Sequence, residues 1–156
     1  MPRYLMILLL LCAVAFLSCS NETAEMPEPG PDGVYQYIIR PVGNLMRYDT
    51  ARLTVKAGTK VRVILENTSE SEAMRHNFVL LQKGTDFKSF GRLANKATEK
   101  SGYIPQSDAI LAHTALSKPG GTVMIQFTAP PPGDYPYLCT FPGHWASMRG
   151  ILTSIP

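Results

Sequence analysis

The stretch CTFPGHWASM, residues 139–148, places a thiol, an imidazole and a thioether on one short loop. Its three side chains Cys139, His144 and Met148 are soft or borderline metal ligands, and three of them so close together are unusual. Taken alone, Cys139 would more often be an inert buried thiol, and His144 an ordinary loop histidine. Their joint spacing instead favours a metal site whose remaining ligand comes from elsewhere in the chain.

The ligand types on this loop indicate copper rather than zinc. Zinc prefers a closed tetrahedral set, often with paired cysteines, and no second cysteine lies near Cys139. Two histidines and one thiolate in a trigonal plane, with a distant axial methionine, form a blue-copper electron-transfer site. In such a site the thiolate bonds strongly to copper, the imidazoles accept either oxidation state, and the weak Met148 sulfur favours Cu(I).

The second histidine can only be His76 or His113, because the chain has three histidines and His144 is already in the loop. His76 precedes the apolar run Phe78–Leu81, where a loop enters a strand that can lie beside the strand leading to Cys139. We therefore predict His76 as the ligand. His113 lies in an apolar segment, and we expect it to be a structural, hydrogen-bonding histidine.

Short segments with strand-like composition occupy most of the chain after residue 33. Several alternate apolar and polar residues, and clusters of Gly and Pro separate them. Between Asp86 and Leu116 the pattern loosens, and residues 86–97 and 106–112 are predicted to be short helices. We predict an all-β, Greek-key sandwich or barrel with a helical flap insertion. The predicted strands are Val34–Arg40, Ala51–Lys56, Val61–Asn67, Asn77–Leu81, Thr122–Thr128, Tyr135–Cys139 and Gly150–Ser154.

Length and charge limit the classes of protein to which the chain can belong. Its 156 residues are enough for one domain with one sizeable core. The composition, 45% hydrophobic and 17% charged with 13 Pro and 12 Gly, suits a globular domain with many turns. A net charge of +3 is too small an excess to support nucleic-acid binding.

The first residues have the pattern of a bacterial export signal. Arg3 is followed by the apolar run 4–17, and the letters FLSC that end at Cys19 resemble a lipobox, in which the cysteine is lipidated. We predict that residues 1–18 are a signal peptide cleaved before Cys19. The alternatives are an ordinary secretory leader or a leader left uncleaved as an anchor. Cys12 is a weaker candidate, because the bulky Leu11 precedes it.

Export explains both the organisation of the mature chain and its single thiol. Residues 19–33, rich in Pro, Gly and acids, are predicted to be a flexible tether, and residues 34–156 to be the folded domain. Removal of the leader and lipidation of Cys19 would leave Cys139 alone in an oxidising compartment. A metal would protect that thiolate. We expect a periplasmic or cell-surface protein held to the bilayer by its lipid.

The loop resembles that of the azurins, small blue-copper proteins of the cupredoxin family. Four residues separate Cys139 from His144 and three separate His144 from Met148, as in azurin, and the similarity runs from about residue 42 to residue 154. The resemblance implies one copper ion held by His76, Cys139, His144 and Met148. It also implies that Asn77 and Phe141 direct backbone N–H groups at the Cys139 sulfur.

Two features depart from the azurin pattern. Azurin has a glycine before its first histidine, and the carbonyl of that glycine is a weak fifth copper contact. Here the residue is Arg75, whose carbonyl is the possible axial contact. Azurin also has a disulfide near its N-terminus, which the predicted mature domain lacks the cysteines to form.

These features predict a single-electron carrier and not an enzyme. In copper oxidases and nitrite reductases a histidine flanks the copper-bound cysteine, whereas Leu138 and Thr140 flank Cys139. The expected partners are redox proteins such as cytochromes, docking briefly. Met46, Met74 and Phe141 are predicted to form an apolar docking patch around the edge of His144. The alternative function is copper storage or delivery, since a sulfur-rich loop could also hold Cu(I) for transfer.

Overall fold

The computed structural model describes residues 23, 24 and 26–156 of the chain. The predicted signal peptide, residues 1–18, and both Cys12 and Cys19 lie outside the described residues. Among the helices of the described part, none combines the length and apolar character needed to cross a membrane.

Within the described residues, nine strands form two sheets, as predicted for an all-β sandwich. The larger sheet has the strand order β1-β3-β9-β8-β5-β6, and the smaller has the order β2-β4-β7. The strands are β1 Thr23–Ala24, β2 Val34–Ile39, β3 Arg52–Lys56, β4 Lys60–Glu66, β5 Val79–Leu81, β6 Ile110–His113, β7 Thr122–Thr128, β8 Gly133–Leu138 and β9 Arg149–Ile155. One α-helix, α1 Phe87–Ala94, and one 3₁₀-helix, Glu99–Ser101, lie between β5 and β6.

The core lies between the two sheets and follows from the alternation of side chains along the strands. In β4, Val61, Val63 and Leu65 point inward and are completely buried, while the residues between them are partly exposed. Leu53 of β3 and Leu152 of β9 join them in the same apolar cluster. Each such side chain contributes roughly 1.5–3 kcal/mol by leaving water.

The sheet topology brings two distant loops to one end of the sandwich. Strands β8 and β9 are antiparallel, with Leu138 opposite Arg149, so residues 139–148 form the connection between them. Strand β5 lies on the other side of β8, with Val79 opposite Leu138. The residues just before Val79 therefore lie beside the residues just after Leu138.

The predicted helical flap is smaller than expected, and one of its two helices is wrong. Residues 86–97 do contain a helix, which is shorter than predicted and spans Phe87–Ala94. Asp86 caps its N-terminus, where the Asp86 carboxylate accepts a hydrogen bond from the Ser89 N–H at 2.9 Å. Residues 106–112 are not helical. Ile110–His113 forms β6, which pairs with β5. Strand β5 is buried and pairs with β8 along one edge, so its backbone needs a hydrogen-bonding partner along the other edge. Pairing with β5 there overrides the helical preference of residues 106–112.

The described end of the predicted tether lies against the domain. Thr23 and Ala24 pair in parallel with the first residues of β3. Further along, the Asp32 carboxylate accepts hydrogen bonds from the Arg62 guanidinium at 3.0 Å and from the Val34 N–H at 3.2 Å. These contacts lower the pKa of Asp32 below its ordinary value, with the Arg62 hydrogen bond as the main cause.

Candidate metal centre

Three donor atoms meet at the end of the sandwich where the two loops converge. The Cys139 Sγ lies 3.9 Å from Nδ1 of His76 and 3.7 Å from Nδ1 of His144, and the two Nδ1 atoms are 3.2 Å apart. The point equidistant from all three lies about 2.1 Å from each, a typical length for metal–nitrogen bonds (about 2.0–2.1 Å) and close to that for metal–thiolate bonds (about 2.3 Å). One ion therefore fits in the plane of the three donors.

Met148 completes the ligand set predicted from the sequence. Its side chain is fully buried in the core cluster that also contains Cys139. The loop folds back on itself, because the N–H of Met148 donates to the carbonyl of His144 at 2.8 Å and the N–H of Cys139 donates to the carbonyl of Met148 at 2.9 Å. His76, Cys139, His144 and Met148 are thus arranged as a type 1 copper site.

His76 is held by backbone pairing outside the regular strands. Its N–H donates to the carbonyl of Ser117 at 3.1 Å, and its carbonyl accepts from the N–H of Ser117 at 2.7 Å. On the far side of the ring, Nε2 lies 3.5 Å from the Ser69 hydroxyl. The backbone and the ring are both restrained, so Nδ1 faces Cys139 before any metal binds.

Burial keeps all three donors uncharged when no metal is present. It lowers the pKa of His144 to about 4 and, together with the nearby charge of His144, lowers that of His76 to about 4. The same burial raises the pKa of the Cys139 thiol to about 12, while hydrogen bonds from the backbone N–H groups of Asn77 and Phe141 act in the opposite direction. The imidazoles are ready to bind a metal, and the thiol must release its proton on binding.

A side-chain clasp that the sequence analysis missed joins the two loops. The Asn77 amide donates to the Thr140 hydroxyl at 2.8 Å and accepts from the Thr140 N–H at the same distance. Both residues are buried. The bonds connect the residue after His76 to the residue after Cys139, so the separation of those two donors is set by hydrogen bonding as well as by the sheet.

Comparison with known proteins agrees with this geometry. The model of the copper binding proteins, plastocyanin/azurin family, matches residues 36–154. The chain belongs to this family. It is a cupredoxin, a member of a family of blue copper electron-transfer proteins, and copper is its metal.

Among its relatives are two auracyanins of Chloroflexus aurantiacus. Auracyanin-A is 33% identical over 112 residues, which cover 70% of this chain and 68% of the relative. Auracyanin-B is 32% identical over 121 residues, which cover 76% of this chain but only about half (51%) of the relative. The solved structure of auracyanin A, described as a "blue" copper protein, superposes with a TM-score of 0.72 at 32% identity, covering 79% of this chain and 100% of that one.

His113, predicted not to be a ligand, lies outside this cupredoxin centre, and the residues of the predicted docking patch differ in exposure. His113 is exposed on β6, where its Nδ1 lies 3.1 Å from the carbonyl of Thr114, and it is not part of the donor cluster. Met46 is 41% exposed, and Met74 and Phe141 are partly buried. The Phe141 ring packs against His144, with ring centroids 4.8 Å apart.

A second contact absent from the sequence analysis fixes the outer part of the ligand loop. Trp145 lies on α1, where a Cβ at Gly91 would be only 2.1 Å from the indole ring, and its Nε1 donates to the Asn95 side chain at 3.2 Å. A glycine inside a helix is unfavourable unless something needs the space. Gly91 within the predicted helix was therefore the available signal that another group packs there.

Proposed function

We propose that this cupredoxin is a one-electron carrier with a single type 1 copper ion, held by His76, Cys139, His144 and Met148. The observation that carries the proposal is the buried triangle of donors, already at metal-binding distances. Copper bound there would supply a Cu(I)/Cu(II) couple. Because the chain restrains the donors through Ser117 pairing and the Asn77–Thr140 clasp, a change of oxidation state requires little rearrangement.

The burial of the donors favours a carrier over a storage or delivery protein. His76, Cys139 and Met148 are 0% exposed, and His144 is 3% exposed. A delivery protein must pass its metal to another protein, which requires donors that a partner can reach. Here the surrounding core excludes such a partner, so the arrangement retains metal. The flanking residues Leu138 and Thr140 supply no histidine link to a second metal, which supports a role as a carrier and not as an enzyme.

We further propose that partners dock at the end of the sandwich where His144 lies. Among the four proposed ligands only His144 has any exposed surface. The docking patch consists of Met46, Met74 and Phe141, with Phe141 in contact with the His144 ring. An apolar surface of this kind can be desolvated during a brief encounter with a redox protein such as a cytochrome.

The location of the protein is a separate proposal, supported by the sequence. The FLSC stretch ending at Cys19 suggests export, lipidation and attachment to a membrane in the periplasm or at the cell surface, with residues 19–33 as the link to the domain. Expression of the full chain in a bacterial host, followed by detergent partitioning and intact mass measurement, tests this. A lipidated N-terminal cysteine is expected, and Cys19→Ser should lack the mass of the lipid. A soluble wild type lacking a lipid would contradict it.

Copper loading tests the carrier function. The oxidised, loaded protein is expected to show an intense charge-transfer band in the red, which ascorbate bleaches reversibly. Cys139→Ser should abolish the band, whereas His113→Ala, at an exposed histidine outside the cluster, should leave it intact. A colourless Cu(II) protein would overturn the proposal.

Exchange of the metal distinguishes a carrier from a delivery protein. The loaded protein is mixed with a high-affinity Cu(I) chelator and taken through repeated cycles of reduction and oxidation. A carrier with buried donors should keep its copper over many cycles. Rapid loss of the metal in the reduced state would favour storage or delivery.

A further inference from the structure

The side chain of Arg75 reaches from the position before His76 to the ligand loop. Its guanidinium carbon lies 5.2 Å from the centre of the Phe141 ring, and its Nη1 lies 2.7 Å from a carboxylate oxygen of Glu99. The Nε atom is buried and has no hydrogen-bond partner among the described residues. Hydrogen bonding at Nε therefore does not orient the group. The contact with the Phe141 face and the ion pair with Glu99 hold it in place.

Phe141 transmits this contact to two of the proposed ligands. Its ring lies 4.8 Å from the His144 ring, at an interplanar angle of 57°. Its carbonyl accepts a hydrogen bond from the His144 N–H at 3.0 Å, and its own N–H is hydrogen-bonded to the Cys139 sulfur. A displacement of Phe141 therefore alters the surroundings of both His144 and Cys139.

A second aromatic contact to Phe141 comes from Tyr103. The two rings meet edge to face, with centroids 5.1 Å apart and an interplanar angle of 79°. Tyr103 has a φ of 61°, the one positive value at a non-glycine position in the described part of the chain. This conformation is unfavourable for a bulky residue and persists only where its surroundings determine it. Arg75 and Tyr103 together confine the Phe141 ring.

The cation of Arg75 is also close enough to the metal centre to act on it electrostatically. Its contact with Phe141, and that of Phe141 with His144, keep the guanidinium within about 10 Å of the His144 ring, a distance at which salt screens charges only in part. The Arg75 side chain is 25% exposed, whereas that of Glu99 is 67% exposed. Glu99 is the more strongly screened of the pair, so the positive charge is only partly cancelled.

We propose that Arg75 is a positioning residue of the copper centre, which holds Phe141 against His144 and places a positive charge beside the site. The inference rests on the proposed carrier function. Oxidation of the site adds one positive charge next to this cation, and Coulomb repulsion then disfavours the oxidised state. Arg75 therefore raises the reduction potential, and Glu99 moderates the increase.

Charge variants of the copper-loaded protein test the electrostatic part by voltammetry. Arg75→Gln should have a lower reduction potential than the wild type, and Glu99→Gln a higher one. Lys56→Gln is the matched control, because Lys56 pairs with Ile155 at the end of the sheet away from the ligand loop. Its potential should not change. Equal potentials in wild type, Arg75→Gln and Glu99→Gln would overturn the electrostatic part.

Arg75→Lys tests the positioning part, because it keeps the charge but loses the planar guanidinium that lies over the Phe141 ring. A chelator should remove Cu(I) from Arg75→Lys about two- to fivefold faster than from the wild type, the factor that an exposed cation–π contact provides. A wild-type rate would show that Arg75 does not position the loop. The blue absorption band distinguishes the two proposals. If the copper-loaded wild type lacks the band, the carrier function is refuted. If the variants are blue and their reduction potentials are unchanged, only the role of Arg75 is refuted.

Discussion

Asn77 and Thr140 exchange two hydrogen bonds of 2.8 Å across the gap between the two ligand loops. The donors of the metal centre are their chain neighbours His76 and Cys139, whose Nδ1 and Sγ atoms are 3.9 Å apart. Because Asn77 and Thr140 are both buried, neither can replace a lost partner with water. The clasp is therefore important both for the stability of the domain and for the separation of the donors.

Removal of the clasp should destabilise the protein. Asn77→Ala leaves the buried Thr140 N–H without an acceptor, which costs about 1–3 kcal/mol. Thr140→Val should cost less, because it removes only one of the two bonds. Urea unfolding of the two variants and of the double variant measures the coupling. Strictly additive effects would show that the two side chains do not act as a unit.

The packing of Trp145 on α1 predicts an unusual effect of a glycine substitution. Gly91→Ala would normally favour a helix, but here its Cβ meets the indole ring at 2.1 Å. Overpacking of this kind costs about 1–3 kcal/mol. Thermal unfolding should show the loss, and the fluorescence of Trp145, the only tryptophan, should shift.

A second background tests whether the clash is the cause. With Trp145→Leu in place, the space beside Gly91 opens, and the addition of Gly91→Ala should then be neutral or stabilising. Lys88→Ala in the same helix serves as a control for helix propensity. If Gly91→Ala destabilises both backgrounds equally, the indole contact is not responsible.

The metal-free protein should lose stability in mildly acidic solution. Burial lowers the pKa of both His76 and His144 to about 4 from an ordinary value of 6.5. The unfolded chain then binds more protons than the folded one between pH 6.5 and 4, so the free energy of unfolding falls as the pH falls through this range. At about 1.4 kcal/mol per unit of pKa difference, the loss is roughly 3 kcal/mol for each of the two imidazoles once the pH is below 4.

Thermal unfolding at pH 7.5, 5.5 and 4.5 measures this effect. The metal-free wild type should show a falling melting temperature, and His144→Gln should flatten the dependence because it removes one of the two groups. The same slope in both proteins would contradict the assignment of the effect to the buried imidazoles.

The proposed docking patch can be tested with the protein as its own partner. Met46→Glu places a negative charge on the patch of both molecules, and like charges brought together across an interface are unfavourable by several kcal/mol. Electron self-exchange, measured by NMR line broadening in mixtures of oxidised and reduced protein, should slow about tenfold or more.

Met124→Glu is the matched control for this prediction. Met124 is 57% exposed in the middle of β7, opposite Ile64 of the smaller sheet, whereas the ligand loop joins β8 and β9 of the larger sheet, so the same charge change should leave self-exchange nearly unaltered. A slower rate in both variants would indicate a general charge effect. A normal rate in Met46→Glu would mean that the molecules meet elsewhere.

Much of the fold was predictable because burial on a β-strand has a period of two residues. The pattern of β4 identifies its inward face directly, and the predicted and observed strands there agree to within a residue at each end. The helix predicted for residues 106–112 was wrong, because a short apolar segment can form either a helix or a strand. Pairing with the free edge of β5 makes this segment a strand. A single sequence does not show which strand edge is left to be filled.

The sequence by itself determined the family, the metal and most of the strand pattern, because each depends on residues close together in the chain. The spacing of Cys139, His144 and Met148 on ten consecutive residues identifies copper without a model of the fold. Only the tertiary structure brought Nδ1 of His76 within 3.9 Å of the Cys139 sulfur on that loop. It alone decided the Asn77–Thr140 clasp, the contact of the Arg75 guanidinium with the Phe141 ring and the packing of Trp145 on Gly91. These contacts join residues distant in sequence and depend on side-chain direction, which local pattern does not encode.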